Sequence, residues 1–463
     1  MKYLSTLAIL LATTSLASAA SNESFILQAG NKNNAIVGQI AGHNSQATIQ
    51  TGKGNSALTA QKSTDGDTNK SATFEFGNNN ASTVGQLGGN NGQTTLQVGN
   101  ANTAATLQAN DTANKNASFT GQFGNGNGSM AGQAGGDNAQ TTLQFGTGNK
   151  NNGNTASTLQ QNGVNGGVND SNTLQVGTLN IASANQSTAG ASSGKKPGEG
   201  GDNNQLSAQF GSGNMASTDQ TSNGSGNKAS AVSGVLNDAA TVQFGADNLA
   251  STKQKGSSSG DNSDQATNAS LTAQFGQVNA ADTKQVNGNN LQATVQAGVD
   301  NFASTTQKNA DSSNATNASL TAQFGQDNAA NTKQVNGNNL QATVQAGAGN
   351  VASTKQKTSG GNGTNASLAL QVGDDNSAAT KQNIANPLGL NGSLIAQIGN
   401  GNTAKAAQND TGIQPMIGAN LQATLQVGNG NSAMTTQTAS VGVTNASVTA
   451  QFGSHNVAVV TQK

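Results

Sequence analysis

The sequence predicts an all-β chain wound as a β-solenoid, and three observations carry that expectation. One twelve-residue pattern, Gln-x-Gly-x-x-Asn-x-Ala-x-x-x-Gln, recurs from end to end. The composition cannot supply ordinary apolar cores: of 463 residues only 9% are charged and 3% aromatic, with 60 glycines, no Cys, no Trp and no Arg. All three prolines, Pro197, Pro387 and Pro415, fall between pattern units, where the lack of an N–H interrupts no strand ladder. Against about 25% charged residues in an ordinary soluble protein, this chain is neither a set of globular domains nor a self-repelling disordered coil. A nearly uncharged chain rich in Gln and Asn is instead prone to β-association.

Residues 1–19 read as a Sec signal peptide. Lys2 supplies the positive start, residues 4–16 form a short apolar run, and Ala17-Ser18-Ala19 or Ser18-Ala19-Ala20 fits the cleavage pattern, placing the cut near Ala19 or Ala20. A membrane anchor would need a longer run. The mature chain is therefore expected outside the cytoplasm, with residues 24–463 as one repeat domain.

The pattern begins at Gln28, Gln50, Gln97, Gln122, Gln144, Gln175, Gln209, Gln243, Gln274, Gln296, Gln323, Gln345, Gln371, Gln397, Gln426 and Gln451, and with a Glu in first place at Glu75, making 17 units. Ser82 and Ser129 stand for the Ala in two units, and the unit at Gln144 is stretched, with Asn154 and Ala156 five residues late. Successive units start 22 to 34 residues apart. The additional residues follow the second Gln and are rich in Gly, Ser, Asn and Asp, as in residues 256–264.

Each unit reads as strand, tight turn, strand, connection. Ser270-Leu271-Thr272-Ala273-Gln274-Phe275 alternates with period two; Gly276-Gln277-Val278-Asn279 is the turn, with Gly and Asn tolerating left-handed backbone; Ala281-Asp282-Thr283-Lys284-Gln285 is the second strand. Strands this short bury nothing alone, so units must stack, one per rung. At about 4.8 Å per rung the stack would be a rod of roughly 80 Å.

Residues 268–308 and 317–357 are near-duplicates that differ at six places: Val278/Asp327, Asp282/Asn331, Val299/Ala348, Asp300/Gly349, Phe302/Val351 and Thr306/Lys355. The motif residues do not vary between these copies. Period two then puts Ala281, Thr283 and Gln285 on the inner face with Ser270, Thr272 and Gln274. Asp282, Lys284 and the charges at Asp219, Lys253, Lys333, Lys355 and Lys381 lie outside. Leu271, Ala273 and Phe275 form an outer apolar stripe suited to lateral packing. The opposite phase for the first strand, apolar side inward, is the alternative. Inward amides repeated rung after rung would hydrogen-bond to their own copies above and below.

Little else in the chain suggests chemistry. With no Cys, thiolate metal sites and Cys nucleophiles are excluded. A net charge of −1 suggests no basic face for phosphates, so nucleic-acid binding is not expected. His43 and His455 read as exposed turn residues without triad or metal partners. Asp65-Gly66-Asp67-Thr68-Asn69 only begins like a calcium loop, since Lys70 stands where Gly is required. Gly124-Asn125-Gly126-Asn127-Gly128 is a repeat turn, and Lys195-Lys196 is a solvated pair. No catalytic residue, metal, cofactor or small-molecule substrate is expected, and the protein is not expected to be an enzyme. The first strand starts just after the cleavage site and the last unit ends at Gln462, so two uncapped edges are expected to pair head to tail into a filament.

The repeat resembles the curlin repeat of bacterial curli subunits, over Gln28 to Gln462. The resemblance implies a large major-type curlin: a secreted subunit of extracellular functional amyloid in biofilm, pilus-like at the cell surface, serving adhesion and cell aggregation. Its partners would be copies of itself, a minor curlin nucleator and an outer-membrane secretion pore. Roles transfer position by position. Ladder Gln residues would be Gln28 and Gln39, Gln97 and Gln108, Gln274 and Gln285, Gln323 and Gln334, Gln451 and Gln462. Turn residues would be Gly30 and Asn33, Gly99 and Asn102, Gly276 and Asn279, Gly325 and Asn328, Gly453 and Asn456. Small core residues would be Ala35, Ala104, Ala281, Ala330 and Ala458. Where curlins often carry Ser six residues before the first Gln, Asn268 stands here, and Ser270 and Thr272 replace inward aliphatics. The alternative function is a monomeric β-solenoid, an adhesin or an ice- or ligand-binding rod.

Overall fold

The computed structural model describes residues 22–63, 67–146, 153–163, 167–189, 201–225, 236–259, 267–309, 315–359, 363–385, 388–411, 418–440 and 442–463. The signal peptide, the three prolines, Lys195-Lys196 and Asp65-Gly66 of the calcium-like segment lie outside them. The described chain is all-β, a parallel β-solenoid with 82% strand and no helix among the described residues. Its contacts form two compact units, Met1–Gly153 and Asn154–Lys463.

In the first unit, strand Glu23–Asn31 lies parallel to His43–Lys53 with Gln28 opposite Gln50 and Gly30 opposite Gly52. The same alignment continues through Gln50↔Glu75, Glu75↔Gln97, Gln97↔Gln122 and Gln122↔Gln144. The second strands stack likewise, Ala35 on Ala57 and Gln39 on Gln61. In the second unit Gln209 faces Gln243 across 34 residues of chain, and Gln274 faces Gln296 across 22. Connection length therefore leaves the register untouched. A one-residue slip would turn every inward amide outward, which is why register is specified so tightly.

Strands run longer than the pattern suggests. Thr267–Gln277 and Ala280–Val286 extend the expected segments at both ends. Residues 256–259, expected in a connection, continue the strand Leu249–Ser259 and pair with residues 222–225 of Met215–Ser225. In the first unit, Ala81–Asn100 and Thr103–Asn125 run through the second turn, with a register shift between Gly88 and Asn90.

The first turn differs from expectation in one residue. The motif glycine has positive φ (Gly276, +114°), but the second left-handed residue is the one before the Asn: Val278 at +55°, Asp327 at +54°, His455 at +59°. Asn279 is itself fully buried. A left-handed residue throws its side chain to solvent, so it is free to vary, whereas Asn279 must point inward. His43, expected in a turn, instead opens the strand His43–Lys53 and is half-buried.

The motif glycine is required for space as well as for φ. A Cβ on Gly276 would lie 2.1 Å from the carbonyl oxygen of Gly298 on the next rung. Gly276→Ala should therefore lower stability by about 1–3 kcal/mol, read as a reduced guanidinium midpoint. Gly38→Ala, whose Cβ meets nothing within 4 Å, should stay within about 0.5 kcal/mol.

Candidate assembly ladder and outer faces

The interior is built from small residues and amides. Gln274, Asn279 and Gln285 have no measurable exposure, and Thr272, Thr283 and Ala281 are buried with them. Leu271 and Phe275 are exposed, so the first strand carries its polar face inward. Gln97, Asn102, Ala104 and Gln108 occupy the same buried places in the first unit, as do Gln323, Asn328, Ala330 and Gln334 in the second. Gly99, Gly325 and Gly453 repeat the positive φ of Gly276, at +128°, +111° and +99°, and Gly30 has +115°. Rungs at the two chain ends are more open: Gln28 is exposed, and Ala35, Gln39, Asn33, Ala458, Gln462 and Asn456 are half-buried, while Gln451 is still buried.

Each Gln amide ties its own rung to two others. Gln274 Nε2 donates to Gln296 Oε1 at 2.9 Å on the next rung, to the carbonyl of Asn279 in its own turn, and to the carbonyl of Leu249 on the previous rung. Gln285 repeats this with Gln307 Oε1, Asn290 O and Ala269 O at 2.9, 3.1 and 2.8 Å. The ladders in each unit have one polarity: Gln28 donates to Gln50, Gln39 to Gln61, Gln97 to Gln122, Gln323 to Gln345, Gln334 to Gln356, Gln426 to Gln451 and Gln437 to Gln462. The motif Asn ladder runs the other way. Asn279 Nδ2 donates back to Asn248 Oδ1 at 3.1 Å and also holds the carbonyls of Phe275 and Gly298. Asn102, Asn328 and Asn456 donate back to Asn80, Asn301 and Asn431 in the same way.

A further ladder escaped the sequence reading. The residue six before the first Gln is Asn in every unit, from Asn22 to Asn445. Asn290 donates to Asn268 Oδ1 at 2.7 Å and Asn339 to Asn317 Oδ1 at 2.6 Å, closing the second turn. Asn69, read within a calcium-like segment, belongs to this ladder and donates to Asn44 Oδ1. The signal is a fixed spacing, but it lies upstream of the pattern, at the place where Asn268 stands instead of the curlin Ser.

Glu75 interrupts the Gln ladder of the first unit. It is fully buried and accepts from Gln50 Nε2 at 2.7 Å. Its other oxygen, Oε1, and Gln97 Oε1 on the facing rung are both buried without a partner. A proton on Glu75 would supply the missing donor, and desolvation pushes its carboxyl pKa up to about 8.

The two outer faces of the second unit carry opposite chemistry. On the first-strand sheet, Leu271, Leu291, Leu320, Leu340, Leu368 and Leu394 line one shallow apolar groove, each 41–57% exposed. Leu271 and Leu291, like Leu320 and Leu340, are offset by two positions where a rung with an inward Ser, such as Ser270, neighbours one with an inward Gln, such as Gln292, which accepts from Ser270 Oγ at 2.8 Å, whereas Leu368 and Leu394 stand directly opposite each other. Phe210, Phe244 and Phe275 stack face to face along the same sheet at 4.6 and 5.4 Å.

The second-strand sheet is basic, which corrects the inference from net charge. One exterior lane holds Lys253, Lys284, Lys333, Lys355 and Lys381, and the parallel lane holds Lys255, Lys308 and Lys357. With Lys405 beside them, nine of the chain's 20 lysines share one face, all exposed. Among the described residues only Asp219 and Asp282 oppose them there, and Asp219 pairs with Lys253 at 2.9 Å. Composition averages over the molecule, whereas period two and in-register stacking sort charge by face.

No protein-family model and no curated protein matches the chain.

Gln285→Leu should cost roughly 1–3 kcal/mol for each amide or carbonyl left unpaired, while Lys284→Gln on the outer face should stay within about 0.5 kcal/mol; denaturant midpoints separate them. Glu75 makes a pH prediction. Its pKa is higher folded than unfolded, so stability should decline as pH rises from about 4.5 to about 8 and level off above. Glu75→Gln completes the amide ladder and should be the more stable protein above pH 8, by a few kcal/mol. The difference in unfolding midpoint between the two proteins, followed from pH 4 to 9, isolates this group.

Proposed function

We propose that this chain is a secreted structural subunit of the curlin type, with 17 repeats, that assembles head to tail into extracellular amyloid fibres for biofilm cohesion and surface adhesion. One observation carries the reading. Among the described residues, Glu23–Asn31 and Asn34–Ile40 pair on one side only, as do Thr444–Phe452 and Val457–Gln462. The Gln ladders in each unit donate toward higher residue numbers, and the motif Asn ladders toward lower ones. A Gln451 amide of one copy thus meets a Gln28 carbonyl of the next as any two neighbouring rungs meet. Such a contact is heterologous, and a heterologous contact that does not close into a ring builds a filament.

The indifference of register to connection length supports the same reading, because an intermolecular rung is only a rung with no connection. The exposed Leu and Phe residues suit lateral packing of filaments. Export through an outer-membrane pore and nucleation by a minor subunit follow from the resemblance in the repeat. The rival monomeric ice-binding rod wants exposed threonine rows, yet Thr272 and Thr283 are buried and lysines occupy the outer face.

Residues 21–463 released from denaturant at neutral pH should give detergent-resistant fibres that bind amyloid dyes. They should diffract near 4.7–4.8 Å and about 10 Å. A protein that stays a soluble β-rich monomer for days would sink the proposal.

A further inference from the structure

We propose that the lysine face of the second unit binds a linear acidic polysaccharide, one carrying a carboxylate on each sugar. The site belongs to a single chain and does not depend on fibre formation. Its centre is Lys333, Lys355 and Lys381, which stand on consecutive rungs in one lane. Rungs are about 4.8 Å apart, so three ammonium groups rise in a straight row with that period. Like charges directly opposite across strands repel. Among the described residues on this face, only Lys253 has an ion-pair partner. A polyanion laid along the row would relieve that repulsion.

The near-duplicate segments point the same way. Between residues 268–308 and 317–357, three of the six differences fall on this face: Phe302 becomes Val351, which leaves the charge unchanged, and the other two make the face more basic, Asp282 becoming Asn331 and Thr306 becoming Lys355. The surface between the lanes is a shallow trough. Lys355, Lys357 and Lys381 border it, Ala407 and Thr436 floor it, and Asn383 and Asn409 edge it with amides bonded at 2.8 Å. Small floor residues admit a sugar ring, and amides at the edge can bond its hydroxyls. A pyranose linked through O1 and O4 advances by about one rung but the chain turns as it does so, so carboxylates that return to one side every two or three sugars can meet lysines of the row.

This spacing favours a polyuronate over nucleic acid. Duplex phosphates wind around their axis, so a straight row of lysines meets only short arcs of them. The chain has no Arg to grip phosphate through a bidentate fork. Single strands bind by stacking successive bases on aromatic platforms, and Phe302 is the one aromatic on this face among the described residues.

The test uses the whole mature chain immobilised on a sensor, with polygalacturonate, its methyl ester and duplex DNA of equal length as probes. Lys333→Gln/Lys355→Gln/Lys381→Gln alters only exposed side chains and is compared with Lys32→Gln/Lys53→Gln/Lys115→Gln, an equal charge change in the first unit. The expected result is salt-sensitive binding of polygalacturonate, none of the ester, and weaker binding of DNA. The first triple variant should lose at least about tenfold in affinity and the second less than about twofold. Lysine-to-arginine changes at the same three positions should retain binding. Equal losses in both variants, absence of polygalacturonate binding, or DNA bound as tightly as polygalacturonate would each overturn the proposal.

Discussion

The structure depends on a buried side-chain amide that must find its own copy one rung away. An isolated Gln in a dry interior would cost on the order of 1–3 kcal/mol for each unmet group. Stacked in register, Gln274 is donor to Gln296 and acceptor from Gln243, and its second hydrogen reaches backbone carbonyls. The core therefore needs few large apolar side chains. It needs repetition, and it needs small companions such as Ala281 and Thr283 so that the two strands of a rung come within reach of one amide.

That requirement explains what varies and what does not. Connections between rungs range widely in length because they lie outside the ladders. The residue before the motif Asn can be Val278, Asp327 or His455 because its left-handed backbone turns the side chain to solvent. The glycine two places after the first Gln cannot vary in this way, since the next rung's carbonyl fills the place of its Cβ. Glu75 is the informative exception. It keeps the shape of Gln while exchanging a donor for an acceptor, and the orphaned oxygens around it mark what a ladder loses when one amide is missing.

Because the core is polar, the outer faces are left to carry specificity. The second unit places leucines along one sheet and lysines along the other. In a globular protein the leucines would be core. Here the amides hold the rungs together, so the leucines become available for contacts between molecules. Two chemically distinct faces on one repeat are what the proposed roles, assembly with copies of itself and binding of an acidic polymer, would each require.

Much of this was legible in the sequence, and for a definite reason. Period two and a fixed motif spacing dictate which side chains share a face, so the inward amides, the exposed Leu271 and the outward Lys284 could be read from residues alone. The sequence also determined that no large apolar core could form. Three things were decided only by the folded chain. The first is that Asn279 is a ladder residue and Val278 the left-handed one, because a turn's backbone angles are set by the rung it joins. The second is the Asn ladder through Asn268 and Asn290, which closes a turn lying outside the recognised pattern. The third is the basic face, invisible in a net charge of −1. Lysines spread over residues 253–405 come together only when parallel stacking brings chain positions 22 to 31 residues apart into register.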